Sequence, residues 1–179
     1  MRCDWAIFEN VYTDKECLEI IETVKLNKTD KYIDSAGSGK RVHTILAETT
    51  SVESRLDRFF NLVYQTNEIY FGFDLYNHRP WVVHLNEYNQ TYPEYPYHKD
   101  ATVYGSCSDI KLTAIINLSP NAYTGGEFQL FTGEHVNISA FSKQGSVIIF
   151  PSFIYHRVLP ILSGDRITLS TWLSGNNFK

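Results

Sequence analysis

Several features that define secreted and membrane proteins are missing from this sequence. Its only cysteines are Cys3, Cys17 and Cys107, an odd number with no C-x-x-C pair, which argues against a disulfide framework and indicates free thiols in a reducing compartment. The opening MRCDWAIFENVYTD contains no apolar segment of the signal-peptide type, and no apolar run reaches the ~18 residues of a membrane span. We therefore expect a cytoplasmic protein that has no signal peptide and does not enter a membrane.

Positive charge is also scarce. Lys and Arg number 16 against 20 Asp and Glu, which gives a formal net charge of −4, and the basic residues form no stripe. A nucleic-acid surface needs clustered basic side chains, so this balance counts against nucleic acid as a partner and against nucleic-acid dealkylation as an activity. A small anion pocket built from one or two basic residues remains compatible with it.

What is present is an ordinary globular composition with many aromatic rings. The 179 residues are 43% hydrophobic and 20% charged, which suits one domain spanning residues 1–179. Tyr, Phe and Trp number 12, 11 and 3. Because strands favour aromatic side chains, this composition favours a β-rich fold.

The pattern of apolar residues changes once, near residue 80. TDKECLEIIETVKL and TSVESRLDRFFNLVYQTNEIYF have the spacing of amphipathic helices, and each opens with a potential capping box, Thr13 with Glu16 and Thr50 with Glu53. A short strand is expected between them. From Trp81 onward the period becomes two, in six short segments separated by turn signals: WVVHLNEY, IKLTAIINL, GEFQLF, SVIIF, IYHRVL and RITLSTWL.

Helices followed by a run of strands predict an α+β fold. The strand segments have no helical pattern between them, which suits an antiparallel sandwich or barrel, with a jelly-roll among the options. We expect the helical part, about residues 1–80, to pack on one sheet of a strand-rich core that covers about residues 81–175.

The candidate chemistry begins at His98 and Asp100, which are separated by one residue. In an extended segment such residues point to the same side, so a nitrogen and an oxygen donor could share one cation. The candidates for a third ligand are His43, His78, His84, His135 and His156. His156 is favoured because it lies in a late apolar strand, although a buried histidine bonded to a backbone carbonyl is the simpler interpretation.

Two histidines and one carboxylate are the ligand set of non-haem Fe(II) oxygenases, in which the metal keeps open positions. The same set suits Zn(II), so a metal-dependent hydrolase or isomerase is a second hypothesis. A third is a jelly-roll that binds a sugar or another ligand without catalysis.

The last predicted strand carries a second signal. With period two, Arg166, Thr168, Ser170 and Trp172 share one face, and the other face is aliphatic apart from Thr171. The polar face is typical of a pocket wall, and arginine offers a two-pronged donor to a carboxylate. An isolated arginine after a turn could equally lie on the surface.

Together these motifs resemble the Fe(II)- and 2-oxoglutarate-dependent dioxygenases, in particular the prolyl 4-hydroxylase-like branch with its PKHD-type hydroxylases. Tyr88 and Tyr95 stand before His98 as in the family arrangement Y-x6-Y-x2-H-x-D. GSVIIFPSFIYHRVLPILSGDR is similar to the family segment G-x-h-h-x-F-x-S-x-x-x-H-x-V-x-P-h-x-x-G-x-R, where h is apolar. The resemblance covers about residues 80–175, with Thr124 standing where many relatives have Asp.

The resemblance implies a double-stranded β-helix (jelly-roll, cupin-like) core and a set of roles. His98, Asp100 and His156 would bind Fe(II). The co-substrate 2-oxoglutarate would chelate the iron and reach Arg166 with its far carboxylate, helped by Tyr88 and Thr168. Reaction with O2 would release succinate and CO2 and hydroxylate a C–H bond, and the resemblance admits ascorbate as a reductant.

The expected substrate is a prolyl residue of a protein or peptide, because proline rings pack well on aromatic faces. A free amino acid or another small molecule is the alternative. Tyr95, Trp172 and Arg41 are the expected substrate contacts, and the loops at 32–44 and 91–109 are expected to border the site. The sequence leaves the oligomeric state open.

Overall fold

Two helices support a set of antiparallel strands in the computed structural model, which describes residues 3–29, 42–101 and 107–176. The helices are α1 (Asp14–Leu26) and α2 (Thr49–Thr66), and one π-helical turn, Asn67–Phe71, extends α2. A short 3-10 helix covers Ser139–Ser142. The strands of the described residues are β1 (Ala6–Phe8), β2 (His43–Glu48), β3 (Val82–Tyr88), β4 (Tyr95–His98), β5 (Ile110–Asn117), β6 (Thr124–Gly125), β7 (Phe128–Phe131), β8 (His135–Asn137), β9 (Val147–Pro151), β10 (Tyr155–Val158), β11 (Ile161–Ser163) and β12 (Arg166–Ser174).

The two predicted helix starts have different outcomes. The capping box at α1 is confirmed, since Thr13 Oγ1 accepts from the Glu16 amide and the Glu16 carboxylate accepts from the Thr13 amide. The predicted box of Thr50 with Glu53 is wrong, because the N-cap of α2 is Glu48, two residues before Thr50. The Thr49 amide donates to the carbonyl of Trp81 at 2.9 Å, so backbone pairing at the end of β2 fixes this helix start.

The strands form two main antiparallel sheets. The larger sheet has the order β1-β9-β5-β12-β3-β2, and the smaller has the order β4-β10-β7-β8. A two-stranded ribbon of β11 and β6 completes the set within the described residues. The expectation of an α+β protein with antiparallel strands is therefore confirmed, and β1 and β2 add N-terminal residues to the strand core.

Two apolar cores lie on the two faces of the larger sheet. On one face α1 and α2 pack against it, with a shared core of Cys17, Ile20, Val24, Val52, Leu56, Phe59, Phe60, Val63, Val83, Leu85, Leu112, Ala114, Ile116, Val147, Ile149, Leu169 and Leu173. On the other face Ile115, Ile148 and Phe150 meet Phe128, Leu130 and Val158 of the smaller sheet. Burial on both faces explains why β5 and β9 have nearly continuous apolar sequences.

Among the helices that the structure describes, none combines the length and the apolar character needed to cross a bilayer.

Candidate active site

His98 and His156 face each other across the smaller sheet. They are directly opposed in the antiparallel pairing of β4 with β10, and their ring centroids are 4.1 Å apart. Asp100 lies two residues beyond His98, just after β4 ends, and its backbone amide donates to the carbonyl of Ser152 at 2.9 Å. Strand pairing thus brings together residues that are far apart in the sequence.

The three side chains converge on one point. One carboxylate oxygen of Asp100 lies 3.6 Å from His98 Nε2, and the other lies 3.6 Å from His156 Nε2. The three potential ligand atoms all lie within 4.8 Å of one another. Two imidazoles and a carboxylate at this separation could hold a divalent transition metal.

Backbone carbonyls select the ring nitrogens that face this point. His98 Nδ1 lies 2.8 Å from the carbonyl oxygen of Pro96, and His156 Nδ1 lies 3.1 Å from that of Ile154. A carbonyl can only accept, so each Nδ1 carries the proton and each neutral ring presents the Nε2 lone pair. From the sequence, a bond to a backbone carbonyl was the simpler interpretation of a buried His156. That hydrogen bond is present, and it orients the ring as a metal ligand requires.

A cavity of about 130 Å³ extends from these three side chains between the two sheets. The cavity is lined by the face of β12 that the period-two pattern predicted, with Arg166, Thr168, Ser170 and Trp172 in a row. The remaining lining residues are His84, Asn86, Tyr88, Tyr95, His98, Asp100, Thr113, Ile115, Phe128, His156 and Val158.

Arg166 places a positive charge deep in this cavity. The residue is only 2% exposed, and its guanidinium carbon lies 5.1 Å from the Tyr88 ring centroid and 5.6 Å from that of Phe141. Among the described residues no carboxylate lies within ion-pairing distance of it, and its Nε has no hydrogen-bond partner. A buried cation without a counter-ion is costly, so this end of the cavity is suited to an anionic ligand.

Tyr88 lies on the neighbouring strand, directly opposite Arg166 in the pairing of β3 with β12. Burial raises the pKa of its phenol to about 12, although the charge of Arg166 opposes that rise. The phenol therefore stays protonated at neutral pH and can donate a hydrogen bond into the cavity.

The expected substrate contacts fall into two groups. Tyr95 and Trp172 both line the cavity, and the Tyr95 ring stacks on His98 with centroids 3.7 Å apart. The ring of His84 meets Trp172 edge to face at 4.6 Å. Arg41 lies outside the described residues, as do parts of both loops that were expected to border the site.

The other histidine candidates lie elsewhere, with one exception. His43 pairs with Glu87 at 2.9 Å, and His135 accepts or donates a 2.7 Å hydrogen bond with Tyr97 on the outer side of the smaller sheet. His84 lines the cavity, and so does Asn86, which was not among the predicted site residues. The same period-two rule applied to WVVHLNEY would have found both residues, since they share a face with Tyr88.

Sequence comparison finds similarity to curated hydroxylases. No protein-family model matches the chain. Over 99 residues, however, the chain is 30% identical to a PKHD-type hydroxylase of Shewanella frigidimarina, an alignment that covers 50% of this chain and 41% of that protein. Over this part of its length the chain is similar in sequence to PKHD-type hydroxylases. It spans less than half the length of the curated hydroxylases that it matches.

The relationship to hydroxylases extends to the fold. The viral collagen prolyl hydroxylase of Paramecium bursaria Chlorella virus-1, solved as a 2OG complex, superposes with a TM-score of 0.71 at 16% identity, covering 98% of this chain and 97% of that one. A Trichoplax adhaerens prolyl hydroxylase, solved with a peptide fragment of hypoxia inducible factor, gives 0.71 at 16% identity and covers 96% and 83%. At these identities the likeness concerns the fold alone, which this chain shares with the two prolyl hydroxylase structures.

Proposed function

We propose that this protein is an Fe(II)- and 2-oxoglutarate-dependent dioxygenase that hydroxylates a prolyl residue of a protein or peptide. One observation carries the proposal: a cavity with two imidazoles and a carboxylate at one end contains a buried guanidinium without a counter-ion among the described residues. A metal ion would suit the end with the imidazoles and the carboxylate, and a carboxylate of a dicarboxylic acid would suit the guanidinium. The proposal includes a single domain whose facing sheets form a double-stranded β-helix.

The residues divide into two binding groups. His98, Asp100 and His156 would hold Fe(II) through Nε2 atoms and a carboxylate oxygen, which is the donor set of non-haem iron oxygenases. Bound iron, with 2-oxoglutarate and O2, supplies the oxidative decarboxylation to succinate and CO2 and the oxidation of the substrate C–H bond. Arg166 would bind the far carboxylate of 2-oxoglutarate.

Two further side chains support that carboxylate site. Thr168 is 1% exposed and neighbours Arg166 on the cavity face of β12, and the protonated phenol of Tyr88 offers a neutral donor beside the guanidinium. Enclosure between two sheets excludes water, which strengthens each of these interactions. The protein thus contributes positioning and charge complementarity, while the metal supplies the redox chemistry.

The peptide substrate is supported by the aromatic side chains beside the metal end. Tyr95 and Trp172 line the cavity next to His98 and His84, and ring faces of this kind pack well on a pyrrolidine ring. The Trichoplax adhaerens prolyl hydroxylase that shares the fold was solved with a bound peptide. A zinc hydrolase has less support, because its chemistry has no evident use for a buried arginine.

The metal and co-substrate assignment is tested by spectroscopy. Under anaerobic conditions, Fe(II) and 2-oxoglutarate added together should give a weak visible charge-transfer band, and His156→Ala should abolish it. His135→Ala is the matched control, because His135 lies on the outer side of the smaller sheet, and it should retain the band. Absence of the band from the wild-type protein, or its persistence in His156→Ala, would overturn the assignment.

The substrate assignment needs a product measurement. Proline-containing peptides incubated aerobically with the protein, Fe(II), 2-oxoglutarate and ascorbate should gain one oxygen atom, detected by mass spectrometry, with succinate formed in step. Succinate formation from free amino acids, with no gain of oxygen by any peptide, would favour the small-molecule alternative.

A further inference from the structure

Two hydroxyl groups lie buried behind the carboxylate of Asp100. Thr113 Oγ1, on β5, is 2.6 Å from Asp100 Oδ2 and 2.9 Å from the hydroxyl of Ser152, which follows β9. The two residues are 1% and 0% exposed. Because β5 and β9 are neighbours in the larger sheet, the pair is held by the most buried strands of the molecule.

Elementary hydrogen-bond chemistry fixes the direction of this relay. An ionised carboxylate can only accept, so Thr113 must donate its single hydroxyl proton to Asp100. The Thr113 hydroxyl is also placed as the donor toward Ser152 Oγ, 2.9 Å away, so its proton lies between the two acceptors. The bond to the carboxylate is the stronger one, because that acceptor is charged.

Ser152 also holds the backbone that carries the carboxylate. Its carbonyl accepts from the amides of Asp100 and Ala101 at 2.9 and 3.0 Å, and its own amide donates to the carbonyl of Lys111 at 2.9 Å. Asp100 lies beyond the end of β4 and is not paired in a sheet. The position of its carboxylate is thus set by Ser152 and Thr113 together.

We propose that Thr113 and Ser152 are positioning residues for the metal site, an inference that rests on the proposed function of His98, Asp100 and His156. The relay anchors Asp100 Oδ2 from behind, so the carboxylate cannot rotate away from the two imidazoles. Without it, Asp100 would be free to turn, and the buried Ser152 Oγ would lose its donor. Loss of such an outer hydrogen bond typically lowers metal affinity by about 10–100-fold.

The test compares isosteric variants. Anaerobic calorimetric titration with Mn(II), which binds without oxidation, gives the metal affinity of each protein. Thr113→Val removes the hydroxyl at nearly constant volume and should lower Mn(II) affinity by at least about 10-fold. Thr113→Ser keeps the hydroxyl and should restore an affinity close to that of the wild type.

Thr171→Val is the matched control. Thr171 is a fully buried threonine on the adjacent strand β12, and its hydroxyl has no hydrogen-bond partner in the described part of the chain. It lies on the face opposite the cavity, so the same chemical change there should leave Mn(II) affinity within about twofold of wild type. The comparison separates loss of the relay from any general effect of a buried Thr→Val change.

The outcomes are distinct. Wild-type protein that binds no Mn(II) would overturn the proposed metal site itself. Wild-type binding with equal affinity in folded Thr113→Val would overturn the relay and leave the metal site standing. Should Thr113→Val fail to fold, Thr113→Ala decides, since it removes the same hydroxyl without placing a methyl group against the carboxylate: a lowered affinity supports the relay, and a wild-type affinity refutes it.

Discussion

Replacing Arg166 with methionine should change stability and ligand binding in opposite directions. Methionine has a similar length and can pack in the same space, but it removes the charge. Arg166 is 2% exposed and has the Tyr88 phenol and the ring of Phe141 beside its guanidinium, with no carboxylate in ion-pairing range among the described residues. The ligand-free protein therefore bears the desolvation of a cation that only its ligand compensates.

The magnitudes follow from this arrangement. Replacing a buried ion pair with apolar residues of similar volume is often stabilising by about 1–4 kcal/mol, and we expect a comparable gain for Arg166→Met, which removes a buried charge that has no counter-ion among the described residues. For a chain of this size about 1 kcal/mol shifts Tm by about 2–4 °C. Loss of a buried partner for the 2-oxoglutarate carboxylate should cost about 2–5 kcal/mol of binding, which corresponds to at least about a 30-fold rise in Kd.

The assay is thermal and urea unfolding with Mn(II), with and without 2-oxoglutarate. At 100 times Kd, 2-oxoglutarate should stabilise the wild-type protein by about 2.7 kcal/mol. Arg166→Met should show a higher Tm without 2-oxoglutarate, no further rise with it, and unchanged Mn(II) affinity. Arg157→Met is the control, because Arg157 lies on β10 of the smaller sheet and contacts Gln129 and the Tyr97 ring instead of the cavity.

Two results would refute this reasoning. A 2-oxoglutarate-induced Tm shift in Arg166→Met equal to that of the wild type would mean that the guanidinium does not bind the co-substrate. A fall in ligand-free stability by more than about 2 kcal/mol would mean that the buried charge is compensated within the protein itself.

Two further predictions concern stability. Hydrogen bonds from Arg58 and Thr13 lower the pKa of Glu16 from 4.5 to about 2. The stability that the Glu16 carboxylate contributes is therefore complete above the ordinary pKa and is lost as the pH falls toward 2. The free energy of unfolding in urea should change less between pH 5 and pH 2.5 in Glu16→Gln than in the wild type, and equal pH dependence would contradict this. Gly145 has φ +74°, and a Cβ there would lie 2.0 Å from the Tyr12 carbonyl oxygen. Gly145→Ala should therefore lower the free energy of unfolding by more than about 2 kcal/mol, because it adds a steric clash to the left-handed strain. Gly133 has φ +97° and open space around a Cβ, so Gly133→Ala should cost about 1–2 kcal/mol, from the left-handed strain alone. Similar losses in both alanine variants would rule out the steric argument.

Much of the fold was accessible from the sequence because the periodicities are strong. The alternation in RITLSTWL correctly separated the cavity face of β12 from its core face, and the capping box of Thr13 marked the true start of α1. The three-residue strands β1, β8 and β11 were not predicted, because three residues are too few for alternation to be recognised. The start of α2 was misplaced because a backbone bond from Thr49 to Trp81, distant in sequence, determines it.

The site divides in the same way. His98 and Asp100 were identifiable from their spacing alone, since residues two apart in an extended segment share a side. The sequence favoured His156 as the third ligand because it lies in a late apolar strand, but only the pairing of β10 with β4 shows its ring beside that of His98. The contacts of Thr113 with Asp100 and Ser152 likewise need strands side by side, and no sequence signal indicated them.

The sequence by itself therefore determined which side chains share a face and which chemistry those faces could support. Only the tertiary structure decided which faces meet, that Asp100 is held from behind by hydroxyls of two other strands, and that Arg166 is buried without a counter-ion among the described residues. The physical reason is that periodicity is a property of a few consecutive residues, whereas strand pairing and burial depend on packing between residues far apart in the chain.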